Sequence, residues 1–125
     1  MSANPEFDRA QARIEAMLAK WHDLMGIGWL TIKYTYNPNF NEEHHRIIAT
    51  TEADWEYHQA RTDFHLPAVC AIDDDTLERV IVHETVHALT APMEVIIPAK
   101  DAKICEFAVE SITRVLVAVH RNSNG

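Results

Sequence analysis

The sequence contains only two cysteines, Cys70 and Cys105, which are too few and too irregularly placed to form a disulfide framework or a zinc ribbon. Both stand among apolar residues, so we interpret them as buried free thiols. Basic residues are also scarce, since 11 Lys and Arg against 19 Asp and Glu give a net charge of −8. Because phosphate binding requires a basic surface, this balance argues against a nucleic-acid partner.

Long apolar segments are missing as well. The beginning of the chain has no basic stretch followed by an apolar one, so it does not resemble a signal peptide. No apolar run approaches the roughly 18 residues that a membrane-spanning helix needs. We therefore expect a cytoplasmic protein without a membrane partner. Repeats, linkers and low-complexity tracts are also absent, so the 125 residues are expected to form a single domain, residues 1–125.

The first half of the chain predicts one helix followed by about three strands. Apolar residues recur at three- and four-residue spacing over residues 5–25, with Asn4 as the N-cap and Gly26 and Gly28 ending the helix. Alternating patterns predict strands near residues 28–36, 46–53 and 55–66. The third of these is poorly apolar, so we expect it to form the edge of a small antiparallel sheet.

The second half of the chain is predicted to be helical and holds the residues of chemical interest. A helix should begin at the acidic residues 73–75, which offer N-cap oxygens, and end near Leu89, before a proline. Apolar side chains cover most of its circumference, which is typical of a buried helix. The same helix contains His83, Glu84 and His87, and burying each without a partner would cost about 1–3 kcal/mol. These three residues therefore need a partner.

A metal ion supplies that partner. His83 and His87 belong to the sequence HETVH, an HExxH pattern whose spacing of four residues places both imidazoles on one face of a helix. Their nitrogens can converge on one zinc ion at about 2.0–2.1 Å. Glu84 lies about 100° further round the helix, where it can reach a metal-bound water. Zinc lowers the pKa of such a water toward 7, and Glu84 can then act as the general base for attack on a carbonyl.

The HExxH pattern supplies two ligands, and a third must come from elsewhere. A metzincin would continue with Gly and His where this sequence has Thr90 and Met93. A glutamate fits better, because a second long helix, predicted from about 99 to 120, carries Glu106 and Glu110 four residues apart on one face. The residues around these glutamates are mostly apolar. The alternative for Glu110 is a structural role, in which it forms an ion pair with Arg114 four residues later on the helix.

A helix with HETVH, a short connection and a second helix with CEFAVE resemble the gluzincin metallopeptidases. The order of one helix, a few strands and two helices is similar to compact minigluzincins and to small HExxH proteins encoded in phages and prophages. The resemblance implies an α+β, zincin-like domain with the zinc between the two C-terminal helices, bound by His83, His87 and Glu106. It also implies that Glu110 orients a zinc-bound histidine. The family more often has Asp at that position, so the roles of the two glutamates remain exchangeable.

Two further features of the site follow from the resemblance. Gluzincins usually add a His or Tyr that stabilises the oxyanion, and the candidates are Tyr57, His58, His65 and His120. In zincins an extended substrate adds to an edge strand, for which residues 55–66 are the candidate. A second cluster, His44 and His45 beside Glu42 and Glu43, is interpreted as a solvated loop.

The sequence therefore predicts a zinc-dependent metallopeptidase that acts on a peptide or protein substrate. Two alternatives remain open. One is a zinc-binding phage accessory or regulatory module without catalytic activity, and the other is a helical interaction domain without metal. Metal content separates the last alternative from the other two, and peptide cleavage separates the enzyme from the inactive module.

Overall fold

The computed structural model describes residues 4–39 and 47–124, which form an α+β fold. The elements are α1 (Pro5–Met25), β1 (Thr31–Asn37), β2 (Ala49–Asp54), β3 (Gln59–His65), α2 (Leu66–Cys70), α3 (Asp74–Ile96) and α4 (Ala102–Asn124). Short 3₁₀ turns at Trp55–Tyr57 and Ala99–Asp101 precede β3 and α4. The predicted α+β class and the three strands are confirmed.

Helix α1 begins and ends where local chemistry predicts. The Asn4 side chain accepts hydrogen bonds from the backbone N–H groups of Glu6 at 2.9 Å and Phe7 at 3.3 Å, which have no partner within the first turn. At the other end Gly26 adopts the left-handed conformation, with φ 64°, and its N–H bonds to the His22 carbonyl at 3.1 Å. The buried face of α1 consists of Ala10, Ile14, Leu18 and Trp21.

The sheet has the order β1-β3-β2 and is mixed. β1 runs parallel to β3, whereas β2 runs antiparallel to β3. The expectation of an antiparallel sheet is therefore wrong for the β1–β3 pair. The expectation that residues 55–66 contain the edge strand is also wrong, because β3 is central and β2 is the edge strand that contacts α3.

The composition of β3 explains this error. Its buried side chains are Ala60, Thr62 and Phe64, of which the last is completely buried. The polar residues Gln59, Arg61, Asp63 and His65 alternate with the buried ones and give the segment a low mean hydropathy. The Thr62 hydroxyl is satisfied there by Thr51 of the neighbouring strand, at 2.9 Å. A central strand can therefore look like an edge strand when its buried polar group has a partner.

Helix α3 extends farther than predicted. Asp73 caps its N-terminus by accepting a hydrogen bond from the Thr76 N–H at 2.8 Å. The predicted end near Leu89 is wrong, because the helix continues through the exposed Pro92 to Ile96. Proline lacks the N–H that would bond to the carbonyl of Ala88, four residues earlier, so the helix continues past Pro92 with one hydrogen bond fewer. The extra turns carry the glutamate that contacts His87.

Helix α4 packs on α3 and α1 through one face only. Val109, Thr113 and Val117 are buried, and Trp21, Val82 and Val86 belong to the same core cluster as the two valines. The apolar residues around Glu106 and Glu110 are therefore buried on one side of α4 and exposed on the other. None of the described helices, α4 included, is long and apolar enough to cross a membrane.

The two cysteines are free, as expected. The expectation that both are buried is wrong, because Cys70 is exposed at the last residue of α2 and Cys105 is half-buried on α4. The thiol of Cys70 lies 3.7 Å from the backbone oxygen of Glu6.

Candidate metal centre

Helices α3 and α4 bring His83, His87 and Glu106 together. The Nε2 atoms of the two histidines lie 3.2 Å apart. One oxygen of Glu106 lies 3.4 Å from Nε2 of His83, and its other oxygen lies 3.1 Å from Nε2 of His87. One ligand atom from each residue lies within 4.8 Å of the other two, so the three residues could hold a metal ion.

A separate carboxylate contacts the outer nitrogen of each histidine. Nδ1 of His83 lies 3.0 Å from Glu110, and Nδ1 of His87 lies 3.0 Å from Glu94. An ionised carboxylate can only accept a hydrogen bond, so we assign the proton of each neutral ring to Nδ1. Both Nε2 atoms then carry a lone pair directed at the centre, which is the tautomer that a metal ligand requires.

This tautomer provides a test of whether the residues fit a metal. The two Nε2 lone pairs and the Glu106 oxygens are all hydrogen-bond acceptors, and they approach one another to 3.1–3.4 Å with no proton between them. Acceptors at such distances repel unless a proton or a cation lies between them, and a metal ion at the centre would supply the positive charge. Two imidazoles and one carboxylate are a ligand set that divalent transition metals accept. The donor chemistry therefore fits a bound metal ion.

Glu110 bridges His83 and Arg114. One of its oxygens meets His83, while the other accepts a hydrogen bond from Nε of Arg114 at 3.1 Å. Burial acts to raise the pKa of Glu110, but the hydrogen bonds from Arg114 and His83 outweigh it and lower the pKa. The structure thus places Glu106 against both Nε2 atoms and Glu110 behind His83, the arrangement that the family resemblance favours. The ion pair with Arg114 coexists with this contact.

Glu84 lies beside the three candidate ligands but contributes no atom to their cluster. Its Oε2 accepts a hydrogen bond of 2.6 Å from the hydroxyl of Thr51, which lies on the edge strand β2. Burial raises the pKa of Glu84, although the hydrogen bond from Thr51 opposes the change. The chain therefore places a carboxylate of increased basicity between the metal-binding group and the sheet edge.

Two cavities flank the metal-binding group. The larger one, about 460 Å³, is lined by Ile47, Ile48, Ala49, Thr76, Arg79, Val80, His83, Glu84, Glu106 and Glu110. The smaller one, about 230 Å³, is lined by Thr51, Ala53, His87, Ala91, Glu94 and Val95. Because His83 lines one cavity and His87 the other, the metal-binding group lies between them.

Glu94 and Thr51 are two site residues that the sequence analysis missed. Glu94 also accepts a hydrogen bond from the Thr90 hydroxyl at 2.9 Å, so both of its oxygens have partners. A spacing of seven residues places Glu94 on the same helical face as His87, but the sequence predicts this contact only if the helix continues beyond Pro92. No pattern in the sequence indicates the contact of Thr51 with Glu84, because that contact depends on which strand forms the edge of the sheet.

The four oxyanion candidates lie elsewhere among the described residues. Tyr57 is 70% exposed in the turn before β3, and the ring of His58 meets Trp29 edge-on. His65 lies 3.6 Å from Asp63 at the end of β3, and His120 packs against Trp21. None of the four lines either cavity beside the metal-binding group. His44 and His45, with the glutamates that precede them, lie outside the described residues.

No protein family, curated protein or solved structure matches this chain. An assignment of function therefore depends on the geometry of the metal centre and on the chemistry of its residues.

Proposed function

We propose that the protein is a zinc-dependent metallopeptidase with a zincin-like fold. His83, His87 and Glu106 would bind the zinc, and Glu84 would act as the general base. The observation that supports this most directly is the convergence of His83, His87 and Glu106, with each histidine held by its own carboxylate. A purely structural metal site would not need the additional half-buried glutamate beside it.

The residues of the chain have distinct roles in this proposal. When bound, zinc would supply the Lewis acidity that makes water a nucleophile near neutral pH. The Thr51 hydroxyl holds Oε2 of Glu84, which leaves Oε1 to accept a proton from the attacking water. As the C–N bond of the peptide breaks, Glu84 would pass that proton to the leaving amine nitrogen. Glu110 and Glu94 keep both imidazoles oriented while this happens.

The sheet edge suggests how a peptide would bind. Among the described strands, β2 pairs only with β3, so an extended peptide could add to the other side of β2 as a further strand. A peptide lying along β2 would pass over Glu84, because Thr51 of this strand contacts that residue. The two cavities on either side of the metal-binding group would then receive side chains from both sides of the cleaved bond.

Metal analysis combined with cleavage of a peptide library tests the proposal. We expect about one zinc per chain in wild-type protein, and cleavage that is abolished by a chelator and restored by zinc. Glu84→Gln should retain zinc but lose cleavage by about 10²–10⁴-fold, because the amide keeps the shape of the side chain without its basicity. Glu15→Gln, at an exposed position on α1, is the matched control and should change neither property.

Each possible failure identifies what is wrong. Protein that takes up no zinc after expression with added metal would contradict the metal site itself. Full cleavage by Glu84→Gln would contradict the role of this residue as the base. Zinc binding without cleavage of any peptide would instead favour the catalytically inactive accessory or regulatory module.

A further inference from the structure

Helix α4 carries a row of large apolar side chains that no part of the described chain covers. Ile104, Phe107, Ile112, Val115 and Val119 are 62%, 74%, 42%, 61% and 59% exposed, respectively. Together with the small residues between them they form what we call the outer face of α4, opposite the buried face. Monomeric proteins rarely expose a contiguous apolar patch of this length, and such patches commonly mark interfaces.

Three pairs of positions on the outer face, 104 with 119, 108 with 115 and 111 with 112, are symmetric about the midpoint between Ser111 and Ile112, whereas Phe107 has no symmetric partner on this face. If a second α4 lay antiparallel on this face, Ile104 would lie opposite Val119. In the same register Ala108 would oppose Val115, and Ser111 would oppose Ile112. The bulky Phe107 would lie next to Ala118 of the second copy. Apart from the Ile104–Val119 pairs at the two ends, large residues thus meet smaller ones along the row, which lets two helices approach to about 8–10 Å.

The distribution of charge around the outer face is compatible with contact between two copies of the chain. The outer face contains no charged residue, although the chain carries a net charge of −8. The arginines near its border are already paired within the chain, because Arg114 meets Glu110 at 3.1 Å and Arg121 meets Asp75 at 3.4 Å. Two equally acidic copies can therefore meet along α4 without burying an unpaired charge.

We propose that the protein forms a two-fold symmetric dimer through the outer faces of two antiparallel α4 helices. The exposed side chains amount to roughly 600 Å² per copy, so the pair would bury up to roughly 1,200 Å², the lower limit for a specific interface. The dimer is therefore reversible and depends on concentration. Because the interface is on the side of α4 away from Val109 and Thr113, it leaves the metal centre accessible, and the dimer does not depend on the proposed peptidase activity.

Sedimentation of the full chain over a range of concentrations tests the dimer. Wild-type protein should change from monomer to dimer as its concentration rises, and added salt should strengthen association by screening the net charge. Val115→Asp should remain monomeric throughout. Leu24→Asp, which replaces a 51% exposed side chain on α1, is the matched control and should dimerise like wild type. A wild-type chain that stays monomeric at all concentrations, or a Val115→Asp chain that dimerises normally, would overturn the proposal.

Disulfide trapping tests the antiparallel register independently. In a chain with Cys70 and Cys105 replaced by serine, Ser111→Cys lies at the centre of the symmetric interface and should crosslink to its own copy. Ser123→Cys should not, because antiparallel pairing separates the two copies of this position. The serines are matched, since each donates a hydrogen bond to the carbonyl four residues earlier, at 2.7 and 2.9 Å. Crosslinking at both Ser111→Cys and Ser123→Cys would show parallel pairing, and crosslinking at neither would show that this face does not pair. Either result would refute the proposed dimer, even if Val115→Asp failed to fold.

Discussion

Glu94 reaches Nδ1 of His87 at 3.0 Å from a position beyond Pro92 in the same helix. Glu110 reaches Nδ1 of His83 at the same distance from the other helix, α4. The two histidines are thus held by one carboxylate from each of the helices that enclose the centre. This double support fixes both tautomers before any metal binds, and it makes Glu94 as important to the centre as Glu110.

The support of His87 leads to the first prediction. Glu94→Ala should weaken zinc binding by about 10- to 100-fold, because His87 loses the partner that orients its ring. Thr90→Val removes the hydroxyl that contacts Glu94 and the Val86 carbonyl but leaves the contact between Glu94 and His87, so its effect should be smaller. Competition with a chelating dye measures both affinities. Unchanged affinity in Glu94→Ala would show that its contact with His87 does not support metal binding.

The second prediction distinguishes the two glutamates of α4. Glu106→Ala should abolish tight zinc binding, because Glu106 is the carboxylate that faces both Nε2 atoms. Glu110→Ala should reduce the affinity by about 10- to 100-fold, as expected for a residue that orients a ligand. Zinc titration of each variant decides between them. If Glu110→Ala lost the metal while Glu106→Ala bound it normally, the two assignments would be exchanged.

The third prediction concerns the hydroxyl that holds the proposed base. Thr51→Val keeps the shape of the side chain but removes the 2.6 Å hydrogen bond to Glu84. We expect peptide cleavage to fall by about 10- to 100-fold, since a displaced catalytic group loses its favourable geometry. Zinc content should stay unchanged. Thr51→Ser retains the hydroxyl and serves as the control, and equal loss of cleavage in both variants would point to strand packing as the cause.

The features that the sequence predicted well depend on neighbouring residues. Asn4 and Gly26 determine the ends of α1 through contacts within one helical turn, and these contacts are visible in the residue types. The placement of His83 and His87 on one face follows from the period of the helix alone. Neither the ends of α1 nor the shared face of the two histidines depends on how the rest of the chain packs.

The features that the sequence predicted poorly depend on distant packing. Thr62 looks like a residue of an edge strand until Thr51 is known to satisfy its hydroxyl. Pro92 ends many helices, but here the following turn continues and contacts His87 through Glu94. The sequence shows mostly apolar residues around Glu106 and Glu110, but apolar periodicity does not show whether another part of the same chain covers them.

The fourth prediction concerns stability in acid and depends on Glu78, which is buried, with 5% of its surface exposed. Its Oε2 accepts hydrogen bonds from Nζ of Lys20 at 2.7 Å and from Nε1 of Trp21 at 2.9 Å. Its Oε1 lies 3.4 Å from Arg121. This one carboxylate on α3 therefore links α1 and α4, and its ionised form is the one that its partners favour.

The pKa of Glu78 determines how that link responds to pH. Burial acts to raise this pKa, but the hydrogen bonds from Lys20 and Trp21 and the charge of Lys20 outweigh burial and lower it. Since the pKa is lower in the folded than in the unfolded chain, ionised Glu78 stabilises the fold above the unfolded value of about 4.3. That stabilisation is lost as the pH falls through the folded value.

Glu78→Gln should therefore destabilise the protein most at neutral pH and least in acid. We expect a loss of about 1–3 kcal/mol in the free energy of unfolding near pH 7, typical of a hydrogen bond to a charged group, and a smaller loss near pH 3. Denaturant unfolding of metal-free protein measures this, because the absence of metal removes any contribution from pH-dependent metal binding. Glu15→Gln should follow the wild-type curve, as Glu15 is exposed. Parallel wild-type and Glu78→Gln stability curves between pH 3 and pH 7 would show that the charge of Glu78 does not stabilise the fold.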